Sequence, residues 1–135
     1  MDLDKALAIS AAGMSAQGTR LRVVAQNLAN QDTTGATHGA APYRRKTVTF
    51  TDRMSQAAGT KLVEVSGIGT DPSAFPLRYD PSNPAANAQG YVKLPNVNSF
   101  IEMMDMREAE RSYDANVSVM QATRSMLTRT IDLLK

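Results

Sequence analysis

The stretch SFIEMMDMREAERSYDANVSVMQATRSMLTRTIDLLK, residues 99–135, decides the fold. Within it Met106, Tyr113, Met120, Leu127 and Leu134 recur every seven residues, and Met103, Val117 and Ile131 lie on the neighbouring ridge. A seven-residue apolar repeat kept up over so long a run predicts one helix packed along its length in the manner of a coiled coil. The start is marked by Ser99 and Glu102, at capping-box spacing, where the two side chains can satisfy free N–H groups of the first turn.

Working back to the other end of the chain, the same period returns. Leu7, Met14, Leu21 and Leu28 are seven apart, and Leu3, Val24 and Ala25 widen their face to an amphipathic stripe. Ala11, Gly18 and Ala25 follow the first three by four residues and would let another helix come close. Gly13 and Gly18 each cost about 1 kcal/mol in helix propensity relative to Ala, so this helix needs a partner to hold it. At 1.5 Å per residue each helix would be about 40 to 50 Å long, too long to bury in a globule of this size. The helices must pair with each other, with other subunits, or both.

Between them lies the punctuation. All six prolines and six of the eight glycines fall between Gly35 and Pro95, which makes the middle irregular or β. Tyr43 to Asp52 alternates and Leu62 to Val65 is a second β-like run, with Gly59 in the loop between, so a hairpin is expected. Phe75, Leu77 and Tyr79 alternate around Pro76, which confines that run to an edge, and Tyr91 to Leu94 reads as a short strand. The chain is therefore mainly α with a small β element. Residues 1–30 form an N-terminal axial helix, 31–98 an inserted β-hairpin and extended loop region, and 99–135 a C-terminal axial helix, the two helices making one helical domain.

Composition supports this and narrows the chemistry. The 135 residues allow one domain at most. Aromatic residues are 5% and Trp is absent, a thin supply for a self-sufficient core. Most of the eight methionines sit in the helices, and their flexible side chains suit surfaces that meet more than one kind of neighbour. Fifteen basic residues against 13 acidic leave a charge of +2, too small to imply nucleic acid. With no cysteine there is neither a disulfide nor a thiolate metal site. The first thirty residues carry no signal-peptide pattern, and no stretch approaches a membrane span of roughly 20 apolar residues.

No constellation for catalysis or for a cofactor emerges. His38 is the single histidine and reads as an exposed loop residue, without a second ligand or a nucleophile to serve. Glu102, Asp105, Glu108, Glu110 and Asp114 interleave with Arg107 and Arg111 and read as a solvated or intersubunit charged face. Gly67-Ile68-Gly69 reads as a turn, since Pro72 stands where a dinucleotide loop needs its third glycine. Arg44-Arg45-Lys46 reads as strand-edge charge, and the sequon at Asn116 falls inside a helix.

Two segments resemble a known family. Ser15-Ala16-Gln17, Arg20-Leu21 and Asn27-Leu28-Ala29-Asn30 are similar to the amino-terminal signature of flagellar rod, hook and related axial proteins. Pro42-Tyr43-Arg44, Asp71-Pro72, Tyr79-Asp80-Pro81, Asn87, Gly90-Tyr91 and Pro95-Asn96 resemble the middle region of the proximal-rod members of that family, and Arg111-Ser112-Tyr113 with Ala115-Asn116-Val117 their last helix. Asn83 stands where many relatives would have His. The resemblance implies a structural subunit of the basal-body rod, not an enzyme, that crosses the periplasm as part of the drive shaft. Its partners would be other copies and other rod subunits, with export unfolded through the flagellar type III apparatus, without a cleavable signal, membrane insertion or nucleic acid. Asn27 and Asn30 would act either as C-caps tolerating left-handed backbone or as a dedicated subunit contact. Two rivals keep parts of the pattern: a coiled-coil secretion-system adaptor, and a small nucleic-acid binder using Arg44 to Lys46.

Overall fold

In the computed structural model, which describes residues 2–134, helix α1 spans Leu3–Ala29 and helix α2 spans Ser99–Asp132. Between them come strands β1 (Lys46–Ser55), β2 (Thr60–Thr70), β3 (Leu77–Tyr79) and β4 (Tyr91–Lys93), paired as two small sheets, β1 with β2 and β3 with β4. Two long helices with a small β element match the expected fold class.

Local chemistry sets the ends. Asp2 opens α1: its carboxylate accepts from the Lys5 N–H at 3.5 Å and pairs with the Lys5 ammonium at 3.1 Å. At α2 the expected capping box is corrected. Asn98 is the cap, its Oδ1 accepting from Phe100 N at 3.0 Å and Ile101 N at 3.3 Å. Ser99 is already helical, and its hydroxyl donates to Gln31 Oε1. The hairpin turn closes where Gly59 N donates to Ser55 O at 2.9 Å. Gly67 to Gly69, expected as a turn, continue β2 instead.

The chain folds as two compact units. The first takes the chain up to Leu21, Val48–Gly67 and the residues from Arg107 on. Here α1 and α2 run antiparallel: Gly13 lies against Asn116, and Arg20 Nη2 reaches Glu108 Oε2 at 3.3 Å. A Cβ on Gly13 would sit 2.8 Å from Asn116 Nδ2, so glycine is what permits the approach. Ser10, Ala16, Ala109 and Thr123 are buried, while the distal hairpin, paired strand to strand, carries two exposed cross-strand ion pairs, Lys61–Asp52 at 3.0 Å and Arg53–Glu64 at 3.6 Å.

The second unit takes Arg22–Thr47 and Ile68–Met106. Its buried apolar residues are few: Ala85, Ala86 and the fully buried Val92 cluster together, and Val23 and Val24 of α1 are buried as well, while β3 pairs antiparallel with β4 in the register Leu77↔Lys93, Arg78↔Val92 and Tyr79↔Tyr91. So modest an apolar core leaves much of the definition of this unit to polar contacts.

Candidate functional site

Those contacts converge on Asn27. It lies in the last turn of α1 with 1% of its surface exposed, and all four hydrogen-bonding positions of its amide are used. Nδ2 donates to Lys46 O at 2.9 Å and Glu102 Oε2 at 3.1 Å; Oδ1 accepts from the Tyr43 hydroxyl at 2.8 Å and Lys46 N at 2.9 Å. One amide thus holds α1, the approach to β1 and the first turn of α2 together.

Glu102 is the second centre. It has no exposed surface, and its other oxygen accepts from Arg45 Nε. The same guanidinium faces Asp71 at 3.5 Å and Asp105 at 3.6 Å, while the Arg45 backbone N–H donates to Asn96 Oδ1 at 2.8 Å. Asn96 Nδ2 then donates to Asp71 O at 3.1 Å, Ser73 O at 3.2 Å and the Ser73 hydroxyl at 3.0 Å. Arg44 donates to Asp71 O at 2.7 Å and Ser73 O at 3.0 Å, with its guanidinium 4.1 Å from the Phe75 ring centroid.

Electrostatics follow this geometry. Burial opposes the Arg45 charge, but the bond to Glu102 and the nearby carboxylates of Asp71 and Asp105 outweigh it and hold Arg45 above its ordinary pKa. Burial, with the Glu102 charge beside it, pushes the Tyr43 phenol up. The Ser73 backbone N–H, at 2.8 Å from Asp71 Oδ1, and then the Arg45 charge hold the Asp71 carboxyl below its ordinary value.

Three expectations change here. Glu102 and Asp105 belong to an internal ion cluster and not to a solvated face. Arg44 and Arg45 are spent inside the same unit and do not serve as strand-edge charge. Asn27 is a bracket between segments. Asn30 does cap α1, its amide donating to Gln26 O at 2.8 Å and accepting from the Thr33 hydroxyl at 3.2 Å. It does so without left-handed backbone, since glycine alone has positive φ among the described residues.

The remaining motif residues shape the loop between β3 and β4. Asn87 Oδ1 accepts from Gln89 N at 3.0 Å and Tyr91 N at 2.9 Å, and Asp80 N donates to Gly90 O at 2.9 Å. Gly90 has φ +83°, and a Cβ there would meet Tyr79 at 2.8 Å and Pro81 at 3.2 Å, so no other residue fits. Tyr79 and Tyr91 meet edge to face at 5.3 Å, and Pro95 is buried.

Of the residues expected on the packing stripes, Leu7, Met14, Leu21, Leu28, Met106, Tyr113, Val117, Met120 and Leu127 are half-buried, and Ile131 and Leu134 are exposed. Val24, expected on the face of α1, is buried, but three positions three residues beyond the stripe were missed: Ser10 on α1, and Ala109 and Thr123 on α2, are buried too. Among the described residues no cluster of His, Cys, Asp or Glu could hold a metal, and no helix is long and apolar enough to cross a membrane.

Comparison with known proteins supplies what this geometry serves. Residues 7–37 match the family model described as flagella basal body rod protein, and residues 88–133 the one described as flagellar basal body rod FlgEFG protein C-terminal. The flagellar basal-body rod protein FlgC of Agrobacterium fabrum is 53% identical over 98% of this chain and 96% of its own length. The chain belongs to the FlgC family. The Bacillus subtilis member is 43% identical over 96% of both chains, and that of Escherichia coli O6:H1 41% identical over 93% of this chain and 92% of its own. Membership makes the chain a structural subunit of the flagellar basal-body rod. Within the family frame, the Asn27–Glu102 cluster is the device that fixes the ends of both terminal helices to the middle region.

Proposed function

We propose that this chain builds the proximal part of the rod, packing its two helices against other copies and other rod subunits in coiled-coil fashion to make a helical tube that crosses the periplasm and transmits torque. The observation that carries the reading is similarity at 53% identity along nearly the whole chain to a flagellar basal-body rod protein. The helices support it. Phe100, Ile101, Met103 and Met104 of α2 are 71, 50, 49 and 58% exposed, more apolar surface on two turns than a lone subunit needs. A heterologous contact through such surfaces propagates as a helix. Export of the unfolded chain by the type III apparatus, without a cleavable signal, belongs to the same proposal.

The test is location. An epitope-tagged chain, expressed in a strain lacking its own copy, should co-purify with rods in detergent-extracted basal bodies and restore swimming. Swimming restored with the tag absent from basal bodies would defeat the proposal.

A further inference from the structure

In the first unit α1 and the hairpin do not close on each other. Between them runs a groove of 810 Å³ with Ala12, Ala16 and Thr19 on its floor and Met54, Leu62 and Val63 on the hairpin side. It continues beyond Ser55–Ala57 and Leu62 to Asp4 and Lys5. From Asp4 to Thr19 that is about 24 Å of helix. Met54 and Val63 are 59 and 38% exposed. The carboxylates lining it, Asp2, Asp4 and Glu64, outnumber the cations Lys5 and Arg53.

The same unit carries a ridge of matching kind on a different surface. Val119 and Met126, seven apart on α2, and Leu133, seven further on and one residue past its end, are 49, 41 and 87% exposed. At helical rise they span about 21 Å, with Leu133 N still donating to Arg129 O at 3.1 Å. Arg124 and Arg129 against Asp132 give this end of α2 the opposite balance of charge from the groove. None of the groove lining comes from α2.

Resting on the rod-subunit reading, we propose that the groove between α1 and the hairpin receives the Val119–Leu133 ridge of a second copy of this chain. Groove and ridge are different surfaces, so the contact is heterologous and leaves a free groove and a free ridge at the two ends of every pair. The apolar ridge covers Met54 and Val63, and the arginines meet the surplus carboxylate at Asp4.

The experiment uses assembled basal bodies from cells in which p-benzoylphenylalanine replaces Met54. Irradiation should give a product of dimer mass whose cross-linked peptide maps within residues 119–134. Adding Leu133→Asp, at a position exposed in the subunit, should abolish that product while the monomer keeps its far-UV spectrum. Basal bodies that contain the chain but yield no dimer, or a product mapping elsewhere, overturn the docking assignment and leave the rod-subunit reading standing. Absence of the chain from basal bodies removes both.

Discussion

Asn27 and Glu102 show how one unit can be defined by polar groups when apolar side chains are scarce. A buried amide with four satisfied bonds and a buried carboxylate with a guanidinium partner add little net stability over an apolar pair, but each is costly to break. Glu102→Ala should therefore destabilise by about 3 kcal/mol, the low end for a broken buried pair, because Arg45 keeps Asp71 and Asp105 nearby. Glu102→Gln can still accept from Asn27 and should cost less. Denaturant unfolding at pH 7 measures both, and Glu102→Ala within 1 kcal/mol of the parent would refute the assignment. Asp71 adds a pH dependence. Its carboxyl is held below the ordinary 3.8, so its contribution is present above that value and is lost as pH falls through the lowered pKa. Asp71→Asn should flatten the acid limb of the stability profile below about pH 4 and leave the region above pH 5 level.

At the scale of elements the helices were legible because their stripes are large and periodic, and the hairpin because Gly59 separates two β-like runs. What stayed hidden was the position three residues along each stripe. Ser10, Ala109 and Thr123 are small or polar, and hydrophobic periodicity does not register such residues, although all three are buried. Glu102 stands at that same spacing from Ser99, which could have marked it as inward-facing. Arg45, 51 residues before Asn96 by chain and 57 before Glu102, had no local signal at all. The two helix glycines test this account. Gly18 has open space where a Cβ would go, so Gly18→Ala should raise stability by about 1 kcal/mol through helix propensity. Gly13→Ala gains the same propensity but drives into Asn116, whose amide donates to Ser112 O at 2.8 Å. Overpacking of about 1 to 3 kcal/mol should leave it neutral or destabilised, and Asn116→Ala should restore the gain. Thermal melts of Gly18→Ala, Gly13→Ala, Asn116→Ala and the Gly13→Ala/Asn116→Ala double variant decide it; equal shifts for Gly13→Ala and Gly18→Ala would count against the close approach.

For the whole molecule the unbalanced quantity is apolar surface. Leu133 and Leu134 are 87 and 83% exposed, and beyond the buried Thr123 only Leu127 on α2 is half-covered. A helix end with so few buried contacts opens locally at little cost, so amides from about Arg124 onward should exchange fast in the isolated chain while those near Ala109 are protected. Assembly would supply the missing cover. It follows that two leucines on the stripes should fail in different ways. Leu21 lies beside Arg20, which bonds across to Glu108, and Leu21→Asp should lower subunit stability by about 2 to 5 kcal/mol as well as stop assembly. Leu127→Asp should cost the subunit less and still block rod formation and swimming, because its loss is repeated in every copy. On the proposed type III route export needs only the unfolded chain, so both variants should still leave the cell body. His38→Ala, at an exposed loop position, should swim normally. Complementation of a strain lacking this chain, scored for swimming, basal bodies and secreted subunit, reads all three; motility kept by both aspartate variants and lost with His38→Ala would reopen the search for chemistry in this chain.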